Sequence, residues 1–225
     1  MPELPEVETV RRSLLPIIGR RIETVKVAEP RLRRRVTDDF ARRLAGQVIE
    51  GIERRGKYLL FHLSGGECLL AHLGMTGALL LQPAGTPLQR HDHVRLRLSG
   101  DMQLTYNDPR RFGLLRAGAL NELAELTNVG RDPLAKGFSL EQLTAMARGR
   151  KRAIKNLLMD QRALGGIGNI YANEILFRAG IRPSRQARRV TSRELSALLT
   201  ATRAVLRSAI RHGGSSISDY RDGEG

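Results

Sequence analysis

The sequence predicts an α+β chain: a β-rich N-terminal part opened by one helix, then an all-helical part. Three observations carry this. Up to about residue 118, short apolar and β-branched runs punctuated by glycine recur at strand length. Beyond it, apolar residues recur at three- and four-residue spacing. The second half also carries helix-start signatures, a Ser or Thr followed three residues later by Gln or Glu. Domains are therefore expected at 1–118 and 119–225, and 225 residues, 41% hydrophobic, suffice for one good core or two modest ones.

Each element follows in order. Pro5 suits a first helical turn, and Val7, Val10 and Leu14 lie on one face of the opening helix. "QVIEGIERRGKYLLFHL" and "ECLLAHLGMTGALLLQ" read as strands broken by glycine turns. Val94, Leu96 and Leu98 alternate with Arg95 and Arg97, and Gly100-Asp101 turns the chain into Met102–Tyr106, a β-hairpin. In the second half Ser139 with Gln142 caps a helix bearing Leu140, Leu143 and Met146. Ile154, Leu157 and Leu158 mark a second helix. Ala172, Ile175, Leu176 and Ala179 mark a third, stopped by Gly180 and Pro183. Thr191 with Glu194 caps a fourth, whose stripe is Leu195, Leu198, Leu199, Val205, Leu206 and Ala209. Arg211 and His212 complement its C-terminal dipole before Gly213-Gly214 ends it.

Composition restricts the partners. Thirty-eight Lys and Arg against twenty-three Asp and Glu give +15 and a pI near 11.2. The arginines cluster in "RLRRR", "RGRKR" and "RPSRQARR", a field suited to a polyanion such as nucleic acid. Aromatics are only 4% of the chain, which disfavours base reading by stacking platforms. No apolar run reaches the length of a membrane span and no secretory leader opens the chain, so a soluble, cytoplasmic protein is expected. Cys68 is the single cysteine, which excludes an intrachain disulfide and a cysteine-based zinc site.

The opening "MPELPEVETV" admits two readings. It is an acidic first helical turn, or it presents Pro2, once Met1 is removed, as a reactive amine. An α-amino group titrates near about 7.7–8.0, far below lysine at about 10.4, so a useful fraction is neutral and nucleophilic at pH 7. A secondary amine condenses with an aldehyde carbon to an iminium, cationic at any pH and an electron sink for elimination. Glu3 is the neighbouring candidate for general acid.

Other positions bear on the choice. Lys57 in "RRGKYLLF" is a solvated edge lysine or a phosphate contact. Met75 in "AHLGMTG" sits on a loop tip, where an apolar wedge between bases is reasonable. Arg110, Arg111 and Phe112 share the turn "NDPRRFG", although Phe112 alone reads as core. "LGGIGNIYANEI" is a tight glycine turn into a helix, with Tyr171 where a dinucleotide fingerprint needs glycine. Its backbone N–H groups and Asn169 at a helix N-terminus are a candidate phosphate site. His91-Asp92-His93 has the i, i+2 spacing of a strand metal pair but no evident third ligand.

Taken in order, "MPELPEVETVRR", "GKYLL", "HLGMTG", "HDHV", "YNDPRRFG", "AIKNLLMDQ", "GGIGNIYANEILFRAGI" and "HGGSSISDY" resemble the blocks of bacterial formamidopyrimidine-DNA glycosylase. The resemblance runs from residue 1 to about 221, and "MPELPE" favours this family over its endonuclease VIII relatives. It implies an N-terminal catalytic β-sandwich followed by a helix–two-turn–helix DNA-binding domain. It also implies a bifunctional glycosylase and lyase of DNA repair. Such an enzyme excises 8-oxoguanine and formamidopyrimidines from double-stranded DNA, acts on abasic sites and cleaves the strand by β,δ-elimination. Residue by residue, Pro2 would be the nucleophile at C1′, Glu3 the acid on the sugar ring oxygen, and Glu6 a further active-site carboxylate. Lys57, His72 and Asn169 would grip phosphates. Met75, Arg110 and Phe112 would fill the void left by the flipped nucleotide, Arg110 facing the orphaned cytosine. Ser215, Ser216, Ser218 and Tyr220 fall in the segment resembling a loop that covers the base, and Ser218 stands where some relatives carry lysine.

The resemblance also implies a bacterial, nucleoid-associated monomer. One departure stands out. The family continues into a zinc finger with two CxxC pairs, whereas this sequence ends at "RDGEG" with one upstream cysteine. No cofactor and no metal are therefore expected in this chain. The alternatives are a non-catalytic protein that binds damaged or duplex DNA, and a purely structural helical nucleic-acid module.

Overall fold

The computed structural model describes residues 1–214. They form two compact units: Met1–Pro2 with Glu6–Ala124, and Glu3–Pro5 with residues 125–214.

The first unit holds most of helix α1 (Leu4–Ser13), the short helix α2 (Phe40–Leu44) and eight strands. These are β1 (Ile22–Val27), β2 (Ile49–Arg55), β3 (Tyr58–Leu63), β4 (Glu67–His72), β5 (Ala78–Pro83), β6 (Asp92–Leu98), β7 (Met102–Asn107) and β8 (Leu114–Ala119). They pair as two antiparallel sheets, ordered β1-β6-β7-β5 and β2-β3-β4-β8. The alternation seen in the sequence sets the register: Val94 pairs Tyr106, Leu96 pairs Leu104 and Leu98 pairs Met102. The expected hairpin turn is present, with Gly100 and Asp101 at φ +79° and +55°. Ile22, Leu96, Leu98 and Leu104 from one sheet share a core with Leu59, Phe61, Leu63, Leu69 and Leu115 from the other. That is a sandwich. Val7 and Val10 bring the apolar face of α1 into the same core, joined by Leu14 just past its end. The helix α2 has no sequence signature. It forms because Phe40 and Leu44, one turn apart and fully buried, pack over β1 and β8.

The second unit contains α3 (Leu140–Ala147), α4 (Ile154–Met159), α5 (Asn169–Arg178) and α6 (Ser192–Arg211). Both anticipated capping boxes close. Ser139 Oγ accepts the Gln142 N–H at 3.4 Å, and Gln142 Oε1 accepts the Ser139 N–H at 3.3 Å. Thr191 Oγ1 accepts the Glu194 N–H at 3.3 Å, and Glu194 Oε2 accepts the Thr191 N–H at 2.8 Å. Each cap is worth about 1 kcal/mol. Leu157, Leu158, Tyr171, Ile175, Leu176, Leu198 and Leu206 make the core, which Leu4 joins. Between α4 and α5 the chain makes two turns, held by Gln161. Its Nε2 donates to the carbonyls of Met159 (2.9 Å) and Ile167 (2.6 Å), and its Oε1 accepts the Gly166 N–H at 2.9 Å. This is the helix–two-turn–helix arrangement. No helix among the described residues is long and apolar enough to cross a membrane.

Candidate active site

Glu3 is almost completely buried. Its Oε2 accepts the backbone N–H groups of Gly168 at 2.6 Å and Tyr171 at 3.4 Å, and its Oε1 accepts that of Ile170 at 3.0 Å. Gly168, the N-cap of α5, has no side chain to offer, so the carboxylate satisfies the orphan donors of the helix start and meets its positive dipole end. The Leu4 N–H donates to the Gly166 carbonyl at 2.9 Å. Gly166 sits at φ +105°, and a Cβ there would lie 2.7 Å from that of Leu4. The phosphate site expected on these N–H groups is corrected here: three of them are committed to Glu3. Asn169, exposed at the first position of α5, remains available to face an anion from that terminus. Pro2, the half-buried residue before this anchor, precedes α1.

In the β unit Glu6 is buried in the first turn of α1. Glu8 bonds Arg11 and Arg12, and accepts from Arg54 Nε at 3.2 Å. Burial alone would raise its pKa, but the bonds and charges of Arg11, Arg12 and Arg54 outweigh this and hold it below the ordinary value. Arg54 also donates to the Gly56 carbonyl at 3.4 Å. It thereby steadies the two-residue turn, Gly56 at φ +60°, that carries Lys57. Lys57 is only 6% exposed, which removes the solvated-edge reading. His72, paired with Tyr58 in the register of β3 and β4, packs edge-on against that ring at 4.8 Å. Its Nδ1 accepts the Gly74 N–H at 2.9 Å. Burial first, then the charges of Arg33 and Lys57, lower its pKa to about 4. The ring is therefore neutral at pH 7 and carries its proton on Nε2, a donor for an anion.

Met75 and Phe112 are exposed by 40% and 46%, so both are surface groups and the reading of Phe112 as core is set aside. The Arg110 guanidinium lies 4.7 Å from the centroid of the Phe112 ring, a cation–π stack. Gly74 at φ +63° lets the Met75 loop touch the Phe112 turn, since a Cβ would fall 2.5 Å from the Phe112 carbonyl carbon. A Cβ on Gly113 would collide with the Tyr106 hydroxyl.

The sequence reading missed the group that joins these loops, Asp108, which is fully buried. Its Oδ1 accepts the Thr76 hydroxyl at 2.7 Å and the Arg110 N–H at 3.3 Å. Its Oδ2 accepts the Gly113 N–H at 2.8 Å and the Tyr106 hydroxyl at 3.2 Å. An acid between "YN" and "PRRF" was the available signal, hidden by its resemblance to an ordinary turn residue. His93, suspected as half of a metal pair, instead bonds the Asp108 carbonyl at 2.7 Å. Among the described residues no three His, Cys, Asp or Glu side chains gather as a metal site. Cys68, on β4 with Sγ 3.9 Å from His62 Nδ1, cannot by itself supply the four thiolates of a CxxC-paired zinc site. Ser215, Ser216, Ser218 and Tyr220 lie outside the described residues.

The first unit thus offers buried charged groups at a turn, a neutral imidazole donor and two linked loops with apolar tips, and in the sequence Pro2 is followed directly by an anchored carboxylate. Residues 1–115 match the family model described as the formamidopyrimidine-DNA glycosylase N-terminal domain, and residues 129–221 match that of its H2TH domain. Proteins named formamidopyrimidine-DNA glycosylase from Syntrophotalea carbinolica and Hahella chejuensis are each 47% identical over 228 residues, covering this whole chain and 84% of each relative. Among solved structures, the MutM (Fpg) protein from Thermus thermophilus is 41% identical with a TM-score of 0.85, over 97% of this chain and 80% of that one. A Lactococcus lactis FPG mutant in complex with Fapy-dG-containing DNA is 33% identical with a TM-score of 0.90, over 98% and 83%. With both halves matched in order, the chain belongs to the formamidopyrimidine-DNA glycosylase family of DNA-repair enzymes.

Proposed function

We propose that this chain excises oxidised purines, 8-oxoguanine and formamidopyrimidines, from double-stranded DNA, and then cleaves the strand by β,δ-elimination through an iminium on Pro2. The observation that carries the proposal is the anchored terminus: the Glu3 carboxylate, adjacent in sequence to Pro2, is fixed by three backbone donors.

After removal of Met1, the Pro2 amine must lose a proton before it can attack. Glu3, the adjacent carboxylate in the sequence, is the candidate acceptor for that proton. The Pro2 nitrogen bonds to C1′ as the bond from C1′ to the base breaks, and the proton still on that nitrogen passes to the departing base. Glu3 passes its proton to the ring oxygen as the C1′–O4′ bond opens, leaving the cationic iminium. Loss of a C2′ proton expels the 3′ phosphate. A second elimination, from C4′, expels the 5′ phosphate, and water releases the sugar remnant.

Grip and specificity fall to the other residues. Nε2–H of neutral His72, the Lys57 ammonium and exposed Asn169 are suited to phosphates flanking the lesion. Flipping a nucleotide costs a few kcal/mol, which Met75, Phe112 and Arg110 offset by occupying the gap. The net charge of +15 favours association with DNA.

The test is borohydride reduction of the protein mixed with an 8-oxoguanine duplex. A covalent protein–DNA adduct accompanied by strand cleavage is expected, and Pro2→Gly should lose most of it. Salt-sensitive binding with neither adduct nor cleavage would support the non-catalytic alternative and overturn the proposal.

A further inference from the structure

We propose that Asp108 is a positioning residue that locks the Met75 loop and the Arg110–Phe112 turn into one rigid wedge. Its bond to Thr76 would be the coupling that lets the wedge hold a duplex open. The inference rests on the function proposed above.

The two segments come from different connections of the sandwich, β4 to β5 and β7 to β8. Among the described side-chain hydrogen bonds, those that tie them together converge on one buried carboxylate and the Thr76 hydroxyl. Asp108 uses both oxygens, each with two donors. Burial and the adjacent Asp108 charge raise the pKa of the Tyr106 hydroxyl, so it stays a donor. The backbone of Asp108 is committed as well. Its N–H donates to the His91 carbonyl at 3.1 Å, and its carbonyl accepts from Arg111 N–H at 3.2 Å and from the His93 ring at 2.7 Å. His91 and Arg111, at φ +74° and +56°, are held in a left-handed conformation that non-glycine residues rarely adopt. The cluster therefore keeps a strained turn in one shape directly beneath Arg110 and Phe112.

A wedge resists the restacking of bases only if its base does not yield. Met75 is the exposed tip of a largely buried loop, whose Thr76 hydroxyl meets the carboxylate that also holds the Arg110 and Gly113 N–H groups. Removing that hydroxyl leaves each loop intact and lets them move separately. The cost falls on steps that need a duplex opened, and steps on an unpaired strand are spared.

Thr76→Val keeps the side-chain shape and removes both bonds of the hydroxyl, the one it donates to Asp108 and the one it accepts from the Arg110 N–H at 3.4 Å, while Thr76→Ser keeps them. Two readouts are needed. The first compares single-turnover 8-oxoguanine excision from duplex with cleavage of a preformed abasic site in single-stranded DNA. The second follows 2-aminopurine fluorescence beside a stable abasic analogue in duplex, which reports unstacking without any chemistry. We expect Thr76→Val to lose duplex excision about tenfold or more, the worth of one hydrogen bond to a charged group. It should also lose most of the fluorescence rise, keep single-strand cleavage when assayed well below its melting temperature, and be rescued by Thr76→Ser. Wild-type duplex excision and fluorescence in Thr76→Val, or an equal fall of duplex and single-strand cleavage, would overturn the inference. A wild-type protein that unstacks 2-aminopurine but cleaves nothing would reject the proposed function, and the fluorescence comparison would still decide the role of Asp108.

Discussion

Glu3→Gln is the substitution whose consequence follows most directly from the geometry. The amide has one acceptor oxygen where the carboxylate has two. In the less damaging orientation the oxygen keeps the Gly168 and Tyr171 donors at 2.6 and 3.4 Å, and the NH2 group faces the Ile170 N–H that Oε1 accepts at 3.0 Å. One bond to a charged acceptor is lost, worth about 1.5–3 kcal/mol, and the remaining two become neutral. Loss of the negative charge at the start of α5 adds about 0.3–1 kcal/mol. The expected cost is about 2–4 kcal/mol, or a melting temperature lower by roughly 4–16 °C for a chain of this size. Differential scanning calorimetry of wild type and Glu3→Gln, with borohydride trapping on the same samples, would read stability and chemistry together. Stability should fall along with trapping, because the candidate acid is also the cap of α5. An unchanged melting temperature would refute the capping argument.

Three further outcomes are expected. His72 is held neutral with its pKa lowered to about 4, so below about pH 6.5 the unfolded chain takes up the proton first and stability falls until about pH 4. The loss is about 3 kcal/mol across that window, and urea midpoints of His72→Gln should be flatter over it; equal slopes would contradict the assignment. Gly74→Ala combines φ +63° with a Cβ 2.5 Å from the Phe112 carbonyl carbon, so it should cost about 2–4 kcal/mol in chemical denaturation. Arg54→Met should release the Gly56 carbonyl and leave Glu8 to Arg11 and Arg12, destabilising the Lys57 turn, which amide exchange at Gly56 and Tyr58 would detect as faster opening.

Local signals in the sequence reached far into this fold. The boxes Ser139–Gln142 and Thr191–Glu194, the alternation of Val94–Leu98 and the exposed tip at Met75 each depend on neighbours a few residues away, and each appears in the structure. What stayed hidden depends on partners distant in the chain. Glu3 meets Gly168 across 165 residues, and no periodicity encodes that pairing. Asp108 looked like a turn residue because its decisive partner, Thr76, lies 32 positions away. Phe112, read alone, suggests core for a related reason, and only the resemblance placed it at the surface. Apolar character predicts burial only on average, and Arg110 supplies this ring with a charged face at the surface. Family blocks supplied the candidate residues, and the structure supplied the reason the terminus is held.

The central claim is that Pro2 is the nucleophile. The most direct measurement is the mass of the peptide that retains the sugar remnant after borohydride reduction with an 8-oxoguanine duplex and proteolysis. The expected result is a chain lacking Met1, with the remnant on the N-terminal peptide at Pro2. A remnant on an internal lysine, Lys57 or Lys155 for example, would contradict it, as would cleavage by a chain that retains Met1.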